Sequence, residues 1–280
     1  MKIRNCNSQS MSTGVSACPI DLAKVKGALV VPKGYKLPAT LDGEALEEAC
    51  HAASASRVLP ILPFVEYAPS GGEVQVSAIG YGPNKANGLS ARTDVWTMDK
   101  YYLQLASAIT KAMNTEWDAY YFDENNVIYG VNDGTDVLAG FSMSTIYNGG
   151  MPHPTSGAAA TQTIAFCHKD ARDSIENIDF EQLAFDIERF AKGLVPVKFV
   201  RVGDTGSNKW KLVEALGGLD RTAEFGPTIA QSPTTTLVGI TTGVTYNEAD
   251  ATLTITGATA PQLKAPADLY TAGVKFIVGA

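Results

Sequence analysis

Apolar and polar positions alternate between two periods along this chain, and the switches outline its elements. Residues 28–31 form a short apolar run that Pro32 ends. Asp42 can cap a helix over 42–56, where Ala45, Leu46, Ala49 and Ala53 recur at helical spacing. Residues 58–67 read as a strand; Pro60 and Pro63 confine it to a sheet edge or a bulge. After the Ser70-Gly71-Gly72 turn, residues 73–79 alternate, with Val74, Val76 and Ala78 set against Gln75 and Ser77, as a half-buried strand does. Residues 80–90, rich in Gly, Asn and Pro, read as a loop. A second helix is predicted over 99–113, with Tyr102, Leu105, Ala106, Ile109 and Met113 as its buried stripe.

The next stretch has strand character. Residues 117–122 and 127–131 flank Asp123-Glu124-Asn125-Asn126, a hairpin turn. Strands follow at 137–147 and 161–167, separated by a loop at 148–157. Asp179 with Gln182 three residues on resembles a capping box, so a third helix is predicted over 179–192, ended by Gly193. Residues 194–202 read as a strand and 211–216 as a short helix. Residues 226–235, with Pro227, Pro233 and three threonines, read as a linker. The Thr-rich tail reads as three strands, 237–242, 251–257 and 273–278, either a small surface module or strands added to a neighbour. The expected organisation is an N-terminal arm over 1–27, a main α+β domain over 28–228 and a C-terminal β-rich region over 229–280. The fold class is α+β: a β-sandwich or barrel-like body with about three helices.

Composition narrows the function. Charged residues are 18% of the chain, below the typical share of about 25%, and small polar residues take their place. That suits a surface largely covered by copies of itself. The formal charge of −7 argues against nucleic-acid binding, which draws its affinity from Lys and Arg. The start, Lys2 and Arg4 followed by Asn5, Asn7, Ser8, Gln9 and Ser10, lacks the apolar run of a secretory signal. A polar arm of this kind, unable to bury itself, is expected to dock on a neighbouring subunit. No stretch reaches the roughly 18 apolar residues of a membrane span. Cys6, Cys18, Cys50 and Cys167 show no C-x-x-C spacing, which argues against zinc. Cys6 and Cys18 either pair or stay free, and free thiols are expected in a reducing cytoplasm.

Candidate chemistry is sparse. Gly140-Phe141-Ser142-Met143-Ser144 approaches the nucleophile elbow, but a serine replaces its last glycine, so Ser142 is expected mid-strand. A triad would need His51, His153 or His168 beside Ser142 together with a carboxylate. His153 lies in the rigid Met151-Pro152-His153-Pro154 loop, and His51 lies among alanines. Asp123, Asn125, Asn132, Asp133 and Asp136 cluster as calcium ligands do, yet the EF-hand order is missing and turn chemistry explains them. Trp96, Trp117 and Trp210 are scattered anchors of core or interface. No catalytic, cofactor or metal residue is assigned, and the chain is expected not to be an enzyme.

The order of parts resembles virion proteins of tailed bacteriophages, tail tube subunits in particular. The resemblance rests on the arm 5–13, the hairpin region 117–147, the helix 179–192 and the tail 234–280. It implies a homo-oligomer of hexameric rings stacked into a tube, with strands pairing across subunits and an acidic lumen through which DNA slides without sequence preference. It also implies other virion proteins as partners, no membrane, and a place in the virion after synthesis in the host cytoplasm. The extra helices leave room for a capsid decoration or connector protein. A secreted adhesin-like module would share the Thr/Gly-rich tail. The surfaces expected to mediate assembly are the arm 5–18, the turn 122–127, the loop 148–157 and the tail.

Overall fold

The computed structural model describes residues 1, 23–157 and 159–280; the arm 5–18 and its Cys6 and Cys18 lie outside the described residues. The chain is α+β, divided into two compact units. The first comprises Met1–Leu46 and Val58–Ala191; the second comprises Glu47–Arg57 and Lys192–Ala280.

The first unit holds, in chain order, β1 (Val25–Pro32), the start of α1 (Gly43–His51), β2 (Leu59–Ile61), β3 (Phe64–Ser70), β4 (Val74–Ser77), β5 (Lys85–Leu89), β6 (Thr93–Met98), α2 (Leu103–Ala112), β7 (Trp117–Asp123), β8 (Val127–Val131), β9 (Phe141–Asn148), β10 (Gln162–His168), β11 (Ile178–Gln182) and α3 (Ile187–Phe190). Nine strands form one mainly antiparallel sheet in the order β11-β8-β7-β9-β10-β6-β3, with β1 alongside β7 and β2 alongside β1. The β-rich body is as expected; its sheet does not close into a barrel, and β3 and β11 lie at the ends of its main path. Its period of two aims Ala28, Val30, Trp96, Met98, Ala119, Tyr121, Phe141, Met143, Ile164 and Phe166 into one core. The other face of β7 is buried too: Tyr120 and Phe122 are inaccessible, and the Tyr120 hydroxyl donates to Leu138 O at 3.1 Å.

Several expectations hold closely. The 123–126 hairpin turn joins β7 to β8, and Asn126 takes the left-handed backbone (φ 59°) that such a turn needs. The helix near 99–113 is α2, and the strands near 161–167 and 194–202 are present.

Others are corrected. The predicted third helix is strand β11 followed by the single turn α3. Asp179 caps no helix; its carboxylate accepts from Phe180 N at 2.8 Å, and Asp186 caps α3 through Glu188 N at 3.1 Å. A strand that the predicted elements omit, β6, occupies 93–98, and the 80–90 loop contains β5.

The second unit continues with β12 (Val195–Arg201), β13 (Lys209–Glu214), α4 (Thr222–Gln231), α5 (Pro233–Thr236), β14 (Val244–Asn247), β15 (Thr252–Ile255), α6 (Pro266–Thr271) and β16 (Ile277–Gly279). The five strands order as β14-β15-β13-β12-β16, with β16 parallel to β12. Residues 211–214 belong to strand β13 rather than a helix, with 215–216 in a turn, because Trp210 and Leu212 alternate into this core. The expected linker 226–235 falls in the second half of α4 and most of α5, and Gly226 lets the Tyr246 ring approach so closely that an added Cβ would lie 2.6 Å from it. The tail, expected as a small surface module or as strands added to a neighbour, lies within the second unit. It contributes β14, β15 and β16 to the chain's own sheet and adds a helix, α6.

Candidate functional site

The residues singled out by sequence do not assemble into a catalytic set. Ser142 lies on β9, and its hydroxyl bonds to the Lys33 ammonium, which also pairs with Asp118 Oδ1 at 2.9 Å. Asp118 Oδ2 accepts from Gly34 N at 2.7 Å. Among the described residues no histidine hydrogen-bonds to Ser142, and a lysine held in an ion pair offers no free lone pair to take the serine proton. His153 is exposed in its loop. His51 is wholly buried in the second unit. Its Nδ1 meets Glu47 O at 2.7 Å and its Nε2 accepts from Phe276 N at 2.8 Å, which fixes the neutral tautomer. Burial is the main cause that lowers its pKa from the ordinary 6.5. Cys50, in the same helix, is buried, and its thiol is pushed up to about 12, mainly by desolvation.

The Asp/Asn cluster serves turns. Asp123 Oδ1 accepts from Asn125 N and Val127 N, both at 2.9 Å, closing the β7–β8 turn. Asn132 Oδ1 accepts from Gly134 N at 3.0 Å, and Asp133 pairs with Lys36 at 2.6 Å. Among the described residues no group of acidic, histidine or cysteine side chains is arranged to hold a metal. Nor is any helix there long and apolar enough to cross a membrane.

The strongest concentration of chemistry lies where β3, β6 and β10 meet. Asp94 shares its face of β6 with Trp96 and Met98, and His168 shares its face of β10 with Ile164 and Phe166. Antiparallel register sets Asp94 opposite Phe166, leaving His168 one diagonal step away. His168 Nε2 reaches Asp94 Oδ2 at 2.6 Å, with both side chains almost inaccessible. Asp94 Oδ1 accepts from Tyr67 Oη at 2.8 Å and Arg92 Nε at 3.1 Å, and Arg92 Nη2 donates to Tyr67 Oη at 2.8 Å. Burial opposes ionisation of Asp94, but His168, Arg92 and Tyr67 outweigh it and hold the carboxyl below its ordinary value. Burial and the neighbouring Asp94 push the Tyr67 hydroxyl upward, keeping it a donor.

This network borders a cleft of about 700 Å³ whose wall includes Phe64, Tyr67, Trp96, Tyr121 and Phe141. Trp96 stacks between Phe64 (5.0 Å) and Tyr67 (4.3 Å). Among the described residues Trp96 Nε1, Tyr121 Oη and His168 Nδ1 find no well-formed hydrogen bond. Trp96 lies near enough to Tyr121 to favour its ionised form slightly, against the larger effect of burial. Sequence reasoning singled out His168 but not Asp94, Arg92 or Tyr67. The signal was present in Asp94-Val95-Trp96-Thr97-Met98, where period two places an acid on an otherwise apolar face.

A second feature projects from the same sheet. Among the described residues, strands β4 and β5 pair only with each other, in a hairpin whose base closes through Ser90 N to Glu73 O at 2.9 Å. Gly71 (φ 76°) is required there, since a Cβ would fall 1.8 Å from Ala91 O. Every residue from Val65 to Ser70 and all of β4 is exposed, including Val74 (58%), Val76 (57%) and, at the tip, Ile79 (80%) and Tyr81.

No family model matches the sequence, and no curated protein matches it. Among solved structures, the anti-feeding prophage cap, which terminates that particle's tube, is 10% identical, with 62% of this chain and 100% of that chain covered at a TM-score of 0.26. A type six secretion system protein is 13% identical, with 70% of this chain and 99% of that chain covered at a TM-score of 0.21. At these scores neither likeness establishes a shared fold.

Proposed function

We propose that this chain is a structural subunit of a bacteriophage virion that works by self-association, as a tail tube subunit whose hexameric rings stack into a conduit for DNA. The observation that carries the reading is the β4–β5 hairpin. A single chain leaves Val74, Val76, Ile79 and Tyr81 in water, on the ribbon that follows β3, an end strand of the main sheet. Isolated exposed apolar residues are ordinary, but a run of them on a projecting two-stranded ribbon marks a surface that another protein covers. An end strand with unpaired backbone groups invites strand addition from a neighbour. A second copy supplies both, and a heterologous contact of this kind generates closed rings or open stacks. The formal charge of −7 suits a conduit that repels the DNA backbone and lets it pass.

The test pairs electron microscopy with mass determination on the purified protein, wild type against Ile79→Asp/Tyr81→Asp. Rings or tubes in the wild type, and monomers in a variant of unchanged thermal stability, are expected. A wild type that stays monomeric at every concentration, or a variant that assembles equally well, overturns the reading.

A further inference from the structure

The cleft in the first unit is built more elaborately than packing requires, and its parts divide by chemistry. Its deep wall is aromatic and aliphatic: Phe64, Trp96, Tyr121 and Phe141, with Ile178. The rest of the lining includes the cations Lys24, Lys26 and Arg92 against the carboxylates Glu66 and Asp94. Asp94 is already committed to His168, Tyr67 and Arg92, so it contributes little uncompensated negative charge. Among the described residues Lys24 and Lys26 form no ion pair. Arg92 spends Nε and Nη2 on the network, which fixes its guanidinium, and leaves Nη1 without a partner there. A planar, pre-oriented guanidinium with a spare N–H beside two unpaired ammonium groups is a seat for an oxyanion. An apolar wall of this size, about 700 Å³ in all, is within the range of small-molecule sites.

We propose that this cleft binds an organic monoanion, a carboxylate carrying an apolar body: the body lies along Trp96, Tyr121 and Phe141, and the head group meets Arg92 and Lys26. Lys26 sits at the register shift of β1 between Val25 and Gly27, where the strict alternation is interrupted, and its half-buried side chain lines the cleft. The site shares β3 with the assembly reading through Phe64, Val65, Glu66 and Tyr67, but its lining contains no residue of β4, β5 or the hairpin tip, so a hairpin variant separates the two.

Calorimetric titration of the full chain with dodecanoate, below its micelle concentration, tests this, with dodecanol and dodecyltrimethylammonium as head-group controls. Saturable one-to-one binding of dodecanoate is expected, with the alcohol and the cation each about tenfold weaker or worse. Lys26→Glu is expected to weaken dodecanoate about tenfold while leaving dodecanol unchanged, and Ile79→Asp/Tyr81→Asp to leave both unchanged. No saturable binding overturns the site. Equal binding of all three amphiphiles overturns the anion selectivity. Binding lost in the hairpin variant but kept in Lys26→Glu places the ligand on the hairpin and overturns the assignment to the cleft.

Discussion

The β4–β5 hairpin and strand β6 are neighbours in the chain, and both alternate between two kinds of side chain, yet they spend that alternation in opposite ways. In β4 the regular positions are valines, and both stand in water. In β6 the regular positions are Asp94, Trp96 and Met98, and all three are buried, the aspartate included. A period of two says which residues share a face, but not whether that face looks inward. What decides is what lies opposite. Across from β6 are β3 and β10, which bring Tyr67 and His168 to a charge that could not otherwise be buried, and Arg92, just before β6 in the chain, adds its guanidinium. Among the described residues β4 and β5 pair with no third strand, and their valines stay exposed.

The largest effect expected from breaking this comparison is at Asp94. Asp94→Ala strands His168 Nε2 and Arg92 Nε inside the protein and is expected to cost about 3–5 kcal/mol, read by denaturant unfolding. A loss under about 1 kcal/mol would show that the network contributes little to folding. Acid sharpens the same point. The Asp94 carboxyl sits below its ordinary value near 3.8 when folded, so its contribution is whole above that pH and fades as pH falls from there through the folded value. The stability gap between wild type and Asp94→Asn should therefore narrow below pH 3.8; a gap that is constant with pH would contradict the assignment.

His51 in the second unit offers a buried polar group held without any charge. His51→Ala leaves the Phe276 N–H unpaired and is expected to cost about 1–3 kcal/mol in thermal unfolding. Because its folded pKa lies below 6.5, its contribution is whole above pH 6.5 and declines as pH falls beneath it, a higher window than that of Asp94. Tyr67→Phe removes one donor from Asp94 while keeping the stack on Trp96, and about 1 kcal/mol is expected. At the bottom of the order, Ile79→Asp/Tyr81→Asp is expected to change stability by less than about 0.5 kcal/mol, because neither side chain is buried in the single chain.

Where local chemistry and tertiary context agreed, the sequence was readable. The Asp123–Asn126 turn between two aromatic-rich runs specified the β7–β8 hairpin, and the stripe Leu105, Ala106 and Ile109 specified α2. Where they disagreed, tertiary context prevailed. Asp179 and Gln182 mimic a capping box, but Phe180 is drawn into the core as part of β11. Gly226 and Pro227 read as a linker, yet the glycine is what lets α4 lie against Tyr246. The network at the cleft was hidden for a related reason. Asp94 reads as a surface residue until Arg92, Tyr67 and His168 converge on it from two strands and a loop position, and that convergence depends on register, which one sequence does not display.

The exposed hairpin is the surface proposed here to join copies of the chain. The most direct measurement is particle mass across a range of concentrations, with electron microscopy of the same samples, for the wild type and for Ile79→Asp/Tyr81→Asp. The account predicts concentration-dependent rings or stacks from the wild type and folded monomers from the variant. Identical assembly by both, or monomers from both, would contradict it.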